Sequence, residues 1–99
     1  MIKCDNVQTE VLKQIVEERI RQGKKWGVQH HNQPFWLSIL IEEVGEVGNL
    51  LNENEERMFY FNNINDKLDY EKYFKNLKEE LIQVAAVAVA WLEDLERNK

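Results

Sequence analysis

The chain lacks the features that anchor or crosslink many small proteins. Its single cysteine, Cys4, cannot form an intrachain disulfide, so we expect a reducing compartment, the cytoplasm. The longest apolar run, residues 84–92, is about half of the ~20 residues that cross a bilayer. The N-terminal segment MIKCDNVQTE has no apolar run like that of a signal peptide. No membrane partner is therefore expected.

Basic residues, proline and glycine are also scarce. The 13 Lys and Arg against 18 Asp and Glu leave a net charge of −5, which argues against binding a nucleic acid polymer through its phosphates. One proline and four glycines among abundant helix formers predict an all-α fold. A chain of 99 residues, 43% hydrophobic and 31% charged, fits one soluble domain over residues 1–99.

Hydrophobic spacing predicts the first of three main helices near the N-terminus. Apolar residues recur on one face over residues 9–22, as in an amphipathic helix. Asn6 or Thr9 is a suitable N-cap, and Gly23 is a natural residue to end the helix. A polar loop, KKWGVQHHNQ, then leads to the second helix.

The second and third helices carry the rest of the chain. Pro34 suits the first turn of a helix that reaches about residue 52. Residues 53–61 are expected to extend it or to form a short fourth helix, with aromatic side chains packed on the body or on a second subunit, and a turn is expected near 62–66. The last helix should begin at Asp69 or Tyr70 and end at Arg97, and its middle is apolar nearly all round.

Glutamates interrupt the apolar faces of the last two helices. On a helical wheel Glu43 falls between Ile39 and Val47, inside the apolar arc, with Glu42 and Glu46 at its edge. On the last helix Glu80 falls inside a similar arc, with Gln83 three residues on. An ionised carboxylate is too costly to bury without a proton, a basic side chain or a metal ion beside it.

Packed antiparallel, the two helices would bring these oxygen ligands together in an apolar groove. Carboxylates so close raise one another's pKa, and a divalent cation removes the repulsion. All-oxygen ligands suit Mg²⁺, with Mn²⁺ as the other choice. A metal there favours phosphate chemistry. The alternative is a plain helical bundle in which basic side chains neutralise the glutamates.

The segments LIEEVGEVGNLL and KEELIQVAAVAVAWLE, preceded by ERIRQGKKWGVQHHNQPFWLSIL, resemble the MazG-like nucleotide pyrophosphohydrolases, a family of all-α NTP pyrophosphatases. Its signature is EExxE on one helix and ExxD on the next, and the resemblance covers residues 16–95. It implies hydrolysis of a nucleoside triphosphate to the monophosphate and pyrophosphate, a reaction expected to clear unwanted nucleotides.

The resemblance also implies roles for individual residues. Glu43, Glu46 and Glu80 would bind Mg²⁺, and Glu42 would bind a second metal or activate the attacking water. The aspartate of ExxD falls on Gln83, whose amide oxygen can ligate a metal but carries no charge. This departure leaves open a second class of function, a nucleotide-binding or oligomerising helical module with little or no turnover.

The loop between the first two helices supplies candidate substrate contacts. Lys25 could meet a triphosphate, Trp26 could stack on a base, and His31 could touch phosphate or metal. Each could also be an ordinary surface or core residue, and Arg19 and Arg21 are predicted to lie on a solvated face.

Three helices cannot cover the apolar last helix alone, so a homodimer or homotetramer is expected to complete the core. The partners predicted from the sequence are thus the nucleoside triphosphate and further copies of the chain.

Overall fold

The computed structural model confirms an all-α fold of three helices packed together, without strands among the described residues. It describes the backbone of residues 3–60 and 65–99 and the side chains of residues 3–53 and 70–99. Helix α1 spans Asn6–Trp26, α2 spans Gln33–Tyr60 and α3 spans Asn65–Arg97. No described helix combines the length and apolarity needed to cross a membrane.

Helix α1 begins earlier and ends later than predicted. Its N-cap is Asp5, whose carboxylate accepts a hydrogen bond from the Gln8 amide at 2.8 Å while the Gln8 side chain accepts one from the Asp5 amide. This reciprocal capping box starts the helix, so the predicted caps Asn6 and Thr9 were wrong. The predicted stop at Gly23 was also wrong. The helix runs on to Gly27, whose φ of 71° is a conformation that glycine adopts without strain.

Helix α2 has nearly the bounds that the sequence predicted, whereas α3 begins earlier than predicted. Pro34 lies in the first turn of α2, as predicted, and the Asn32 carboxamide caps that turn by accepting from the Phe35 amide at 2.9 Å. Helix α2 continues to Tyr60, so the prediction that residues 53–61 extend it is confirmed as far as that residue. Helix α3 starts at Asn65, before the predicted 69 or 70. The aromatic side chains of 58–61 and most of the turn predicted at 62–66 lie outside the described residues.

Helix α3 lies between the other two and packs against both α1 and α2. Helices α2 and α3 run antiparallel, because Trp36 near the start of α2 bonds Asp94 near the end of α3, while Glu46 and Glu80 meet farther along. The core is centred on Trp36, which is 2% exposed, with Val87 and Ala90 of α3 against it. This packing brings together, at mid-helix, the glutamates that interrupt the apolar faces of α2 and α3.

The core of the single chain is small. Among the described residues, four hydrophobic side chains are buried, those of Trp36, Ala86, Val87 and Ala90. Trp91 is half-buried, and its indole N–H donates to the Gln33 side chain. The apolar middle of α3 is thus covered by α1 and α2 only in part, and Leu81 and Leu92 remain 49% and 61% exposed.

Candidate metal centre and adjoining cavity

The structure brings three predicted carboxylates together. Glu43 and Glu46 of α2 and Glu80 of α3 each offer an oxygen, and the three oxygens lie within 4.8 Å of one another. Glu43 and Glu80 are half-buried and Glu46 is exposed. The meeting follows from the wheel positions, since i and i+3 residues share a face of α2 and the antiparallel α3 presents Glu80 to that face.

Burial and mutual repulsion both disfavour ionisation of Glu43. Its pKa is raised first by desolvation and then by the charges of Glu46, Glu80, Glu42 and Glu18. No basic side chain of the part of the chain that the structure describes contributes to this shift. The reading in which basic residues neutralise these glutamates therefore finds no support at Glu43.

Ionisation of Glu80 is disfavoured for the same two reasons. Its pKa is raised first by desolvation, and then by its contact with Glu46 and the charges of Glu46 and Glu79. Its Oε2 atom is buried and has no hydrogen-bond partner among the described residues. Buried polar atoms are almost always paired, so an orphaned carboxylate oxygen beside two other carboxylates is an unsatisfied acceptor that fits a cation.

The other predicted site residues of α2 and α3 lie around this triad without joining it. Glu42 is exposed, and its charge helps to raise the pKa of Glu43. Gln83 is half-buried, and its side-chain oxygen accepts a hydrogen bond from the side-chain amide of Gln22 on α1 at 3.2 Å. The pKa of Glu18 is held below its usual value first by a hydrogen bond with Arg21 and then by one with Gln83. In this arrangement Gln83 links α3 to α1.

A cavity of about 220 Å³ adjoins the triad, and Glu43 belongs to both. The aromatic rings of Trp26 and Trp36 and the apolar side chains of Ile39 and Val87 form much of its wall. Polar groups also reach it from all three helices and from the loop between α1 and α2. The polar side chains are those of Arg19, Gln22, Gln29, Glu43, Gln83 and Arg97.

Arg19 corrects one sequence prediction. It was assigned to a solvated face, yet its side chain is only 21% exposed and lines the cavity. Its guanidinium donates to both carboxylate oxygens of Glu93, at 2.8 and 3.2 Å, and to the Gln22 side chain at 2.7 Å. The hydrogen bond from Arg19 is the main reason that the pKa of Glu93 is lowered. Arg21, by contrast, is exposed and pairs with Glu18, as a solvated residue would.

The three predicted substrate contacts have different surroundings. Trp26 is 53% exposed and lines the cavity. The Lys25 ammonium lies 4.6 Å from the Trp26 ring centroid, and Lys25 is not among the cavity residues. The His31 ring packs against Phe35 and Trp36, so its described contacts are those of a packed loop residue.

The sequence reading missed Asp94, which is 4% exposed and ties the loop before α2 to α3. Its carboxylate accepts from the Trp36 indole at 2.7 Å and the His31 amide at 3.1 Å, and it lies 2.7 Å from His30 Nδ1. Asn98 adds a bond at 2.7 Å. The bonds with His30 foremost, then with the Trp36 indole and the His31 amide, lower the pKa of Asp94 to about 2. Its spacing of four and seven residues from Ala90 and Val87 was the available signal, because it places Asp94 on their buried face.

Comparisons of the chain with protein-family models, with curated proteins and with solved structures found no match. The function is therefore argued from the geometry of the triad and its cavity.

Proposed function

We propose that the protein is a Mg²⁺-dependent nucleoside triphosphate pyrophosphohydrolase. The observation that carries the proposal is the triad of Glu43, Glu46 and Glu80, whose oxygens lie within 4.8 Å, combined with a cavity that shares Glu43. A hard cation and an aromatic-walled cavity side by side suit a ligand with phosphates at one end and a planar base at the other.

The residues present fit a divalent cation. Three carboxylates supply hard oxygen ligands, and the buried orphan Oε2 of Glu80 is an acceptor that a cation would satisfy. The pKa values of Glu43 and Glu80 are raised first by desolvation and then by the neighbouring carboxylates, and a bound cation would offset both effects. When bound, Mg²⁺ would supply charge neutralisation for phosphate oxygens. Mn²⁺ has similar ligand preferences.

The chain's own side chains then have separate tasks. Glu42, exposed and close to Glu43, is the candidate general base that takes a proton from the attacking water. Trp26, which is half-exposed and lines the cavity, offers a ring face to a base. Arg19 lies in the cavity as a fixed positive group, held by Glu93 and Gln22. Hydrolysis between the α and β phosphates would give a nucleoside monophosphate and pyrophosphate.

A second candidate, a nucleotide-binding module without turnover, is favoured by one observation. Gln83 is neutral, and its amide oxygen is already bonded to Gln22. If that bond persists when ligand binds, the centre has only the triad as its ligands from α2 and α3, with one negative charge fewer than an ExxD aspartate would give. Such a centre could hold a nucleotide–metal complex yet stabilise the transition state poorly.

A panel of NTPs and dNTPs separates the two candidates. With Mg²⁺ or Mn²⁺ present, we expect stoichiometric release of pyrophosphate and monophosphate from at least one nucleotide, and no release in the presence of a chelator. Binding of a nucleotide by calorimetry without release from any member of the panel would instead identify the module. A protein that neither binds nor hydrolyses any nucleotide of the panel would reject both candidates.

Trp26 provides a test of the cavity. We expect Trp26→Ala to raise KM for the preferred nucleotide by about 10-fold or more, since base stacking on an aromatic side chain contributes ~1–3 kcal/mol, while kcat changes less than about twofold. Steady-state kinetics measures both. The matched control is Val28→Ala. Val28 is 76% exposed, lies two residues after Trp26 in the loop before α2, and does not line the cavity. An unchanged KM in Trp26→Ala would place the base elsewhere.

A further inference from the structure

Helix α2 has an exposed apolar seam on a side that α3 does not cover. Its members follow one another at alternating intervals of four and three residues, the spacing of a coiled-coil seam. They are Leu37, Ile41, Val44, Gly48 and Leu51. The four larger side chains are 47%, 60%, 51% and 37% exposed, although side chains of this kind are normally buried.

Helix α3 has a matching exposed row. Its members also recur at intervals typical of one helix face. They are Leu81, Ala88, Leu92 and Leu95. The three leucines are 49%, 61% and 45% exposed. Gln83 and Glu93, which contact α1, lie outside this row.

The two rows face the same side of the molecule. On each helical wheel the row lies roughly a quarter to a third of a turn, in the same sense, from the residues that join α2 to α3. Each rotation is measured about the helix's own axis, starting from the face that contacts the other helix. Because the two axes point in opposite directions, equal rotations in the same sense bring both rows to the same side of the helix pair. We call the nine residues together the α2–α3 apolar face.

We infer that the α2–α3 apolar face is the contact surface for a second copy of this chain. The face contains no charged residue, whereas the chain carries a net charge of −5. Two copies can therefore approach through this face without bringing their acidic groups together. A two-fold contact pairs the face with itself, and its coiled-coil spacing is the pattern by which helices interlock.

The area is of the right size for such a contact. Seven half-exposed aliphatic side chains present roughly 90 Å² each, so the face offers on the order of 600 Å² per copy before its smaller residues are counted, near the ~800 Å² per partner of stable interfaces. A second copy would also enlarge a small core, because only four hydrophobic side chains among the described residues are buried in the single chain. A core completed by a second copy resembles an obligate dimer.

The metal triad lies away from this face. Glu43 and Glu46 are roughly a third to half a turn around α2 from the seam, and Glu80 is roughly a quarter of a turn around α3 from its row. Dimerisation and metal binding are therefore separable by mutation, and the inference stands or falls independently of the proposed hydrolysis.

Gly48→Arg tests the inference with little risk to the single chain. A Cβ at Gly48 would meet nothing within 4 Å, and arginine is a better helix former than glycine. Gly23→Arg is the matched control, because Gly23 is also helical with nothing within 4 Å of an added Cβ, but it lies on α1. Both variants of the full chain would be compared with the wild type by sedimentation velocity and by thermal unfolding, from about 1 to about 100 µM.

We expect the wild type and Gly23→Arg to dimerise, with melting temperatures that rise with protein concentration. Gly48→Arg should weaken the dimer at least ~100-fold, because it buries an unpaired charge in the contact. A Gly48→Arg chain that unfolds, while Gly23→Arg folds and the wild-type melting temperature depends on concentration, also supports an obligate dimer through this face.

Two results would overturn the inference. One is a wild type that stays monomeric over the whole range with a melting temperature independent of concentration. The other is a Gly48→Arg chain that dimerises as tightly as Gly23→Arg, which would place the contact elsewhere.

Discussion

Replacing Glu43 by glutamine is expected to lower pyrophosphate release from the preferred nucleotide at least ~10²-fold, while raising the stability of the metal-free protein. The loss follows because Glu43 belongs both to the triad and to the cavity, so the change replaces a charged metal ligand with a neutral one at the point where substrate would meet it. The gain in stability follows because the glutamine amide is neutral, which removes the cost of desolvating a carboxylate and then the repulsion from Glu46 and Glu80.

The sign of the pH dependence supports the same test. Glu43 has a folded-state pKa raised above its unfolded value, so the folded state binds more protons between the two values, and stability falls as pH rises through the folded pKa. At pH 7 the wild type carries this penalty and Glu43→Gln does not. We expect the metal-free variant to melt roughly 3–6 °C higher, and this gain should shrink as pH is lowered towards 4.5.

Magnesium should reverse the order of stability. The wild type should gain melting temperature on addition of Mg²⁺, as any protein does that binds a ligand only when folded, and Glu43→Gln should gain little. Glu53→Gln serves as the control, because Glu53 is an exposed glutamate of the same helix outside the triad. If Glu43→Gln retains both turnover and the Mg²⁺ response, the triad is not the metal centre.

Replacing Asp94 by alanine is expected to destabilise the protein more than any other single change to the described side chains outside the core. The Trp36 indole and the His31 amide would each lose an acceptor at a buried position. Unpaired buried donors are costly, and the loop before α2 would lose its tie to α3. We expect a fall in melting temperature of about 10 °C or more at pH 7, measured by circular dichroism.

The acid side of the stability profile gives a second measurement on Asp94. Its folded-state pKa is lowered from 3.8 to about 2, so the stability that its ionised form contributes is present above pH 3.8 and is lost as pH falls towards 2. Asp94→Ala should lack this component of the acid transition. Glu96→Ala is the control, because Glu96 is 73% exposed and pairs with Lys99. Equal melting temperatures for the two variants would contradict the anchoring role.

The partial success of the sequence reading has a physical basis. Helical periodicity reports which face of a helix is apolar, and it therefore identified Glu43 and Glu80 as intrusions before any packing was known. Periodicity does not report where a helix ends when the cap is a side chain outside it. Asp5 starts α1 before its predicted limit for that reason, and at the other end the positive φ of Gly27 ends the helix beyond Gly23. Arg19 was assigned to a solvated face and Gln22 was overlooked, because their burial depends on α3 and not on their own helix.

Propensity and periodicity are properties of short stretches of chain, so they were enough to predict a helical protein with three amphipathic segments and acidic residues in two apolar faces. They could not predict that Glu46 meets Glu80, that Gln83 bonds Gln22, or that Asp94 holds the loop before α2, because these contacts come from the packing of the helices. These contacts join residues more than thirty positions apart. Their geometry depends on the antiparallel register of α2 and α3 and on the seating of α1, which no local pattern encodes.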